Sequence, residues 1–134
     1  MSGRVAGDRG RDRPDPRLPL GRAAESAAEA ELVRRGYRIL ARNVRLAGAE
    51  IDLVAEDAGT VAFVEVRSRS SRRHGGPLET IGRTKILRIA RASSAFLARH
   101  GLSDVPARFD VVGIDWVRGA PVCTLIRGAF ESPF

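Results

Sequence analysis

The stretch Glu50-Ile51-Asp52-Leu53-Val54-Ala55-Glu56-Asp57-Ala58-Gly59-Thr60-Val61-Ala62-Phe63-Val64-Glu65-Val66-Arg67 decides the fold. Asp57-Ala58-Gly59-Thr60 carries turn residues, so the runs on either side, Glu50–Glu56 and Val61–Arg67, are expected to pair as a hairpin. In the first run, Ile51, Leu53 and Ala55 are expected on one face. The second, Val61–Val66, is apolar everywhere except Glu65, as expected of a central strand buried on both faces. Two acids, Asp52 and Glu65, therefore stand inside strands. A carboxylate there is costly unless it is paired, hydrogen-bonded or bound to a cation. Once the hairpin forms, both can project at the same end of one sheet face. Two converging carboxylates suit a hard cation such as Mg²⁺ or Mn²⁺. Read singly, the same residues also fit acids at strand ends, facing solvent or paired with arginines.

Upstream of this stretch, Ala24, Ala27, Ala28 and Leu32 recur at helical spacing from Arg22 to about Arg35, and Gly36 stands where a C-terminal cap belongs. Tyr37–Val44 has strand character and is followed by a turn at Ala47-Gly48. Downstream, Ser68–Pro77 is a basic, glycine-bearing loop containing Arg69, Arg72, Arg73 and His74. A long helix is expected from Thr80 to Arg99. Its apolar stripe is Ile86, Ile89, Ala90, Ser93, Phe96 and Leu97, and Lys85, Arg88, Arg91 and Arg99 make much of the rest basic. Gly101 ends it. Arg108–Trp116 and Pro121–Arg127 close the domain as two strands around Arg118-Gly119-Ala120. The expected architecture is an α/β domain with the order α-β-β-β-α-β-β.

Composition narrows the function. The 134 residues suit one domain. Lys plus Arg is 23 against 16 Asp plus Glu, a formal net charge of +7, which favours a polyanionic partner, nucleic acid before an anionic membrane. Of the 23 basic residues only Lys85 is a lysine, and arginine cannot accept a proton near neutral pH. A lone cysteine, Cys123, excludes an internal disulfide and a cysteine-based zinc cluster. His74 and His100 lie far apart. Residues 1–21 read as a disordered, mildly basic tail without a secretory signal, leaving 22–134 as the single domain. No stretch is apolar enough to span a membrane, so the expected location is cytoplasmic.

Four segments resemble the motifs of one bacterial family. Gly48-Ala49-Glu50-Ile51-Asp52-Leu53 and Phe63-Val64-Glu65-Val66-Arg67-Ser68-Arg69 resemble its GEIDL and FVEVK/R-x-R signatures. Gly36-Tyr37-Arg38-Ile39-Leu40-Ala41-Arg42-Asn43 resembles its GY-x-IL-x-RN motif, and Arg108-Phe109-Asp110-Val111-Val112 its RFDVV strand. Lys85 matches a lysine in the second helix. The family is the YraN-like one, grouped with the PD-(D/E)XK, or restriction-endonuclease-like, nucleases. The resemblance covers about Gly21 to Phe130. It implies a mixed sheet flanked by helices. It makes Asp52 and Glu65 the metal-binding acids, with Glu25 as a third, and Mg²⁺ or Mn²⁺ the cofactor. A metal in such nucleases polarises the phosphodiester and helps generate the attacking hydroxide.

The motif's usual lysine, two residues after the glutamate, is here Arg67. Its planar fork can hold phosphate charge, but it cannot be a general base. The proton then goes to Glu65 or to bulk, or Lys85 supplies the missing ammonium from the helix. Arg67, Arg69, Arg72, Arg73, Lys85 and Arg88 are the expected nucleic-acid contacts. Ala49, inserted between glycine and glutamate of the GEIDL-like motif, is expected to lengthen the turn. Tyr37, Trp116 and Cys123 are expected to pack in or near the core, and His100 to sit as a charge or cap at the helix end. Two functions remain: a Mg²⁺-dependent nuclease acting on DNA, including branched or damaged DNA, and a non-catalytic nucleic-acid-binding module with a degenerate nuclease site. A homodimer is compatible with either.

Overall fold

The computed structural model describes residues 19–69 and 81–130. Its elements are α1 (Pro19–Arg34), β1 (Arg38–Leu46), β2 (Ala49–Asp57), β3 (Thr60–Arg69), α2 (Arg83–Arg99), β4 (Ala107–Val117) and β5 (Ala120–Phe130). The α-β-β-β-α-β-β order is the expected one. The five strands form one sheet in sequence order. β3 and β4 are parallel, joined by the α2 crossover; the other neighbours are antiparallel. β3 is thus the middle strand, and Val61 to Val64 are almost wholly buried.

Turn chemistry fixes the three hairpins. Leu46 pairs with Ala49, Asp57 with Thr60 and Val117 with Ala120. The two-residue links Ala47-Gly48, Ala58-Gly59 and Arg118-Gly119 all have positive φ at both positions, the type I′ geometry whose twist matches that of paired strands. Ala49 is therefore the first residue of β2 and does not lengthen the turn, contrary to the sequence expectation.

The helix ends follow from glycine. Gly36 takes φ 96°, and the Tyr37 N–H donates to Leu32 O at 3.0 Å, a Schellman closure. At the end of α2, Leu102 N–H donates to Leu97 O at 2.7 Å beyond Gly101. His100 stacks on Phe96 at 4.1 Å between ring centroids, with Nδ1 2.9 Å from Phe96 O. It caps the helix as expected.

The sheet carries a core on each face. Ala24, Ala28 and Leu32 of α1 pack with Leu53, Ala55, Ala62, Val64, Val112 and Ile114; the small side chains let the helix lie close to the strands. On the opposite face, Ile89, Ala90 and Phe96 of α2 pack with Ile51, Val54, Val61, Phe63 and Phe109. Phe63 meets Phe96 edge-on at 5.8 Å, a favoured aromatic geometry.

Ile51 overturns one expectation. It belongs to the α2 core, whereas Leu53 and Ala55 belong to the α1 core. The two-residue alternation fails between them because β1 and β2 are not regularly pleated at this level. Asn43, lying between the pairs Arg42–Leu53 and Val44–Ile51, has φ 51°.

Other differences lie at element ends. α1 starts at Pro19 rather than Arg22; proline's fixed φ suits a first helical turn. α2 starts at Arg83, after Gly82, while Thr80 lies outside the described residues. β5 runs on past Arg127 because Gly128, at φ 61°, lies in a bulge of β5 opposite the step from Phe109 to Val111.

Candidate functional site: a carboxylate pair with two cations

The acids come together where β2 and β3 part. Their ladder ends at Leu53–Val64, and Asp52 and Glu65 are the next residues outward on each strand. Asp52 Oδ2 accepts the Val66 N–H at 2.8 Å, so its carboxylate fills the position a strand carbonyl would have taken. Glu65 is 6% exposed. By the alternation of β3 it faces α2, and the first turn of that helix brings Lys85 Nζ to 2.7 Å from Glu65 Oε2. Arg67 Nη1 approaches the same oxygen at 3.4 Å.

Burial is the largest influence on Asp52. It raises the carboxyl, and the neighbouring Glu65 charge raises it further. The Val66 N–H opposes this, Glu25 on α1 adds a smaller repulsion and Lys85 a smaller attraction; the outcome is a value of about 7. Two carboxylates share a poorly solvated place, and the two cations beside them sit on Glu65. Such a place holds a proton or a cation.

Of the expected site residues, Asp52, Glu65, Arg67 and Lys85 are brought together. Glu25 is close enough for its charge to act on Asp52. Among the described residues no three His, Cys, Asp or Glu side chains gather around one metal-sized position. A metal here would rest on two carboxylates, its other positions filled by oxygens from elsewhere. Arg88 stands exposed on α2, one turn beyond Lys85. Arg69 closes β3. Arg72, Arg73 and His74 lie outside the described residues.

The other two motif segments build something else. Tyr37, from the Gly-Tyr pair, and Asp110, from Arg-Phe-Asp, form a buried clasp on the α1 face. Asp110 is fully buried and accepts from Tyr37 Oη at 2.8 Å, Arg108 Nε at 2.9 Å and Gly128 N at 2.9 Å. Arg108 also reaches Asp57 at 2.6 Å, and Arg127 donates to Tyr37 Oη at 3.1 Å. The clasp ties the end of α1, the β2–β3 turn, β4 and the β5 bulge to one another. The sequence marks Asp110 only as a charge set between apolar residues of a strand, with no role attached to it. Trp116 is half-buried against the α1 core, its Nε1 donating to Ser68 Oγ at 2.8 Å. Cys123 is half-buried beside Ala27. Both packing expectations hold.

No helix among the described residues is long and apolar enough to cross a membrane. Comparison with known proteins gives close relatives. A protein of Symbiobacterium thermophilum is 46% identical over 114 residues, covering 84% of this chain and 97% of the relative. One of Anaeromyxobacter dehalogenans is 42% identical over 132 residues, covering 98% and 95%. Both are described only as UPF0102 proteins. Among solved structures, SfsA of Pyrococcus furiosus, in complex with Ca²⁺, is similar over 84% of this chain and 62% of that one, at 18% identity and a TM-score of 0.38. The profile of the uncharacterised protein family UPF0102 matches residues 24–114, which hold the acid pair, Lys85 and the clasp from Tyr37 to Asp110, and the chain belongs to that family.

Proposed function

We propose that the protein is a metal-dependent nuclease that hydrolyses phosphodiester bonds of DNA, including branched or damaged DNA. The observation that carries this reading is the pairing of Asp52 with Glu65 at the parting of β2 and β3, with Lys85 and Arg67 both on Glu65. The donors fit Mg²⁺ or Mn²⁺. They are carboxylate oxygens, hard and anionic; burial first and the Glu65 charge second lift Asp52 to about 7, and a divalent cation would relieve both. Asp52 and Glu65 would hold the ion, with Glu25 nearby. A bound ion would neutralise phosphate charge and make the attacking water more acidic.

The chain's own residues do the rest. Arg67 binds a non-bridging phosphate oxygen through its fork and keeps its proton throughout. The Lys85 ammonium stabilises the additional negative charge as water attacks phosphorus and the P–O bond to the leaving sugar oxygen breaks. The proton released by the water passes to a carboxylate or to solvent, and the leaving sugar oxygen takes up a proton from solvent. The exposed Arg88 adds sequence-independent phosphate attraction. The test is Mg²⁺- or Mn²⁺-dependent cleavage of linear, nicked, flapped and four-way DNA. Activity is expected in the wild type and is lost in Asp52→Ala and Glu65→Ala. No cleavage of any of these substrates with either metal overturns the reading.

Arg67 favours a second reading, a nucleic-acid-binding module that kept the fold without the chemistry. Its mark is salt-sensitive DNA binding that is indifferent to metal. Calorimetric titration of Mn²⁺ into wild type and Asp52→Ala separates the two, because only the nuclease reading requires carboxylate-dependent binding. On either reading the protein works in the cytoplasm, as a monomer or homodimer, which sedimentation distinguishes.

A further inference from the structure

The geometry points to Asn43 as the positioning residue of the acid pair: its left-handed backbone takes Asp52 out of the strand pleat and sets it beside Glu65. Pairing runs in one register through Arg42–Leu53 and Val44–Ile51, so Asn43 and Asp52 lie at the same level. Asn43 has φ 51° in mid-strand, whereas the other non-glycine residues with positive φ are hairpin-turn residues. Across that level both strands lose their alternation. In β1, Arg42 points to α1, where it pairs with Glu29, while Val44 packs in the α2 core. In β2, Leu53 packs in the α1 core and Ile51 in the α2 core.

A regular pleat would put Arg42 and Val44 on one face, and Leu53 and Ile51 on one face. A single left-handed residue rotates the chain enough to undo this, and the hairpin beyond it turns with it to pack on α2. Asp52 is the β2 residue at the pivot. It is freed from its place in the pleat where the β2–β3 ladder also stops, and its carboxylate takes the Val66 N–H. The same turn that buries Ile51 against α2 thus delivers Asp52 to Glu65. Asparagine suits the pivot because, after glycine, it is among the residues that best tolerate this conformation.

The role concerns the backbone, so glycine must replace asparagine and alanine must not. Hydrogen exchange of the Val66 amide reads the Asp52 contact without metal or DNA. In Asn43→Ala, Val66 protection is expected to fall about tenfold relative to neighbouring strand amides, as in Asp52→Ala. In Asn43→Gly it is expected to stay within about twofold of wild type. Asn43→Ser, a milder loss of the conformation, replaces the alanine variant should that fail to fold. Mn²⁺ affinity, which rests on the nuclease reading, is expected to follow the same order. Unchanged Val66 protection in Asn43→Ala overturns the inference whatever the metal does. Equal loss in Asn43→Gly also overturns it, by assigning the effect to the side chain. A wild type that binds no Mn²⁺ while Val66 follows the expected order overturns the nuclease reading and leaves the positioning role standing.

Discussion

Lys85 Nζ lies 2.7 Å from Glu65 Oε2, so the chain's one lysine reaches from the first turn of α2 to the most buried acid of the central strand. The contact joins two roles that substitution can separate. Lys85 is 45% exposed on its side chain, and solvent weakens such a pair, so Lys85→Met is expected to cost only about 1 kcal/mol in urea unfolding. The rate of DNA cleavage should fall further, by about a hundredfold, if the ammonium stabilises charge on the phosphate. A variant that loses stability yet cuts at the wild-type rate removes Lys85 from the chemistry.

Arg67 is 3.4 Å from the same Glu65 oxygen, and its side chain is 23% exposed. Lysine at this position keeps the charge, shortens the reach and adds a group that can exchange a proton. Arg67→Lys is expected to leave the cleavage rate unchanged or to raise it, with both metals. A large loss in single-turnover assays would show that arginine's two-pronged grip on phosphate is the property the site uses.

The fold was legible wherever the deciding signal is local. Gly36 and Gly101 end helices, and X-Gly pairs close hairpins, because positive φ is a property of one or two residues. The acid pair was legible through its oddness, carboxylates in strands that otherwise read as apolar. The facing of Ile51 was not, because its cause lies on another strand, at Asn43, and counting along β2 assumes a regular pleat. Ala49 misled for a related reason: a motif counted in residues does not say where the turn ends, whereas the Leu46–Ala49 pair does. The sequence marks Lys85 through resemblance and as the chain's one lysine; only the α2 crossover shows that it touches Glu65. Asp110 sits in a strand pattern that predicts burial but gives no hint of the three donors awaiting it.

Asp52 makes the metal-free protein pH-sensitive. Its carboxyl stands at about 7 when folded, against an ordinary 3.8. Between those values the folded chain keeps a proton that the unfolded chain releases, so this group's contribution falls as pH rises, by at most about 1.4 kcal/mol per pH unit, and is fully unfavourable above the folded value. In EDTA at pH 8, Asp52→Asn is expected to raise Tm, since asparagine can still accept the Val66 N–H without carrying charge. Added Mn²⁺ should raise the wild-type Tm and leave that of the variant unmoved. A variant less stable than wild type at pH 8 in EDTA would contradict this account of Asp52.

Tyr37 is the only tyrosine in the chain, and its hydroxyl lies between Asp110, Arg108 and Arg127. Burial first and the Asp110 carboxylate with it raise its pKa above the ordinary 10, against the lowering by the Arg127 and Arg108 donors. Tyrosinate absorbance should therefore appear only above the usual range, alongside unfolding. Tyr37→Phe removes one bridging hydroxyl and is expected to cost about 1–2 kcal/mol. Asp110→Ala strands Arg108, the Tyr37 hydroxyl and the Gly128 N–H together, and is expected to cost about 3–5 kcal/mol. A smaller loss for Asp110→Ala than for Tyr37→Phe in urea unfolding would mean that Asp110 is not the hub of the clasp.

Arg88 tests the nucleic-acid contact apart from the chemistry. It is exposed on α2, one turn beyond Lys85. If it meets a phosphate, Arg88→Ala weakens DNA binding to a similar extent on every sequence and lowers the slope of log affinity against log salt by about one ion. Thermal stability should stay near wild type, because an exposed helix charge contributes little. Affinity measured at several salt concentrations checks this, with metal omitted so that cleavage does not intervene. An unchanged slope would place the DNA elsewhere. A slope reduced by one with cleavage slowed only at low DNA concentration would place Arg88 in substrate capture, leaving the bond-breaking step to the residues around Glu65.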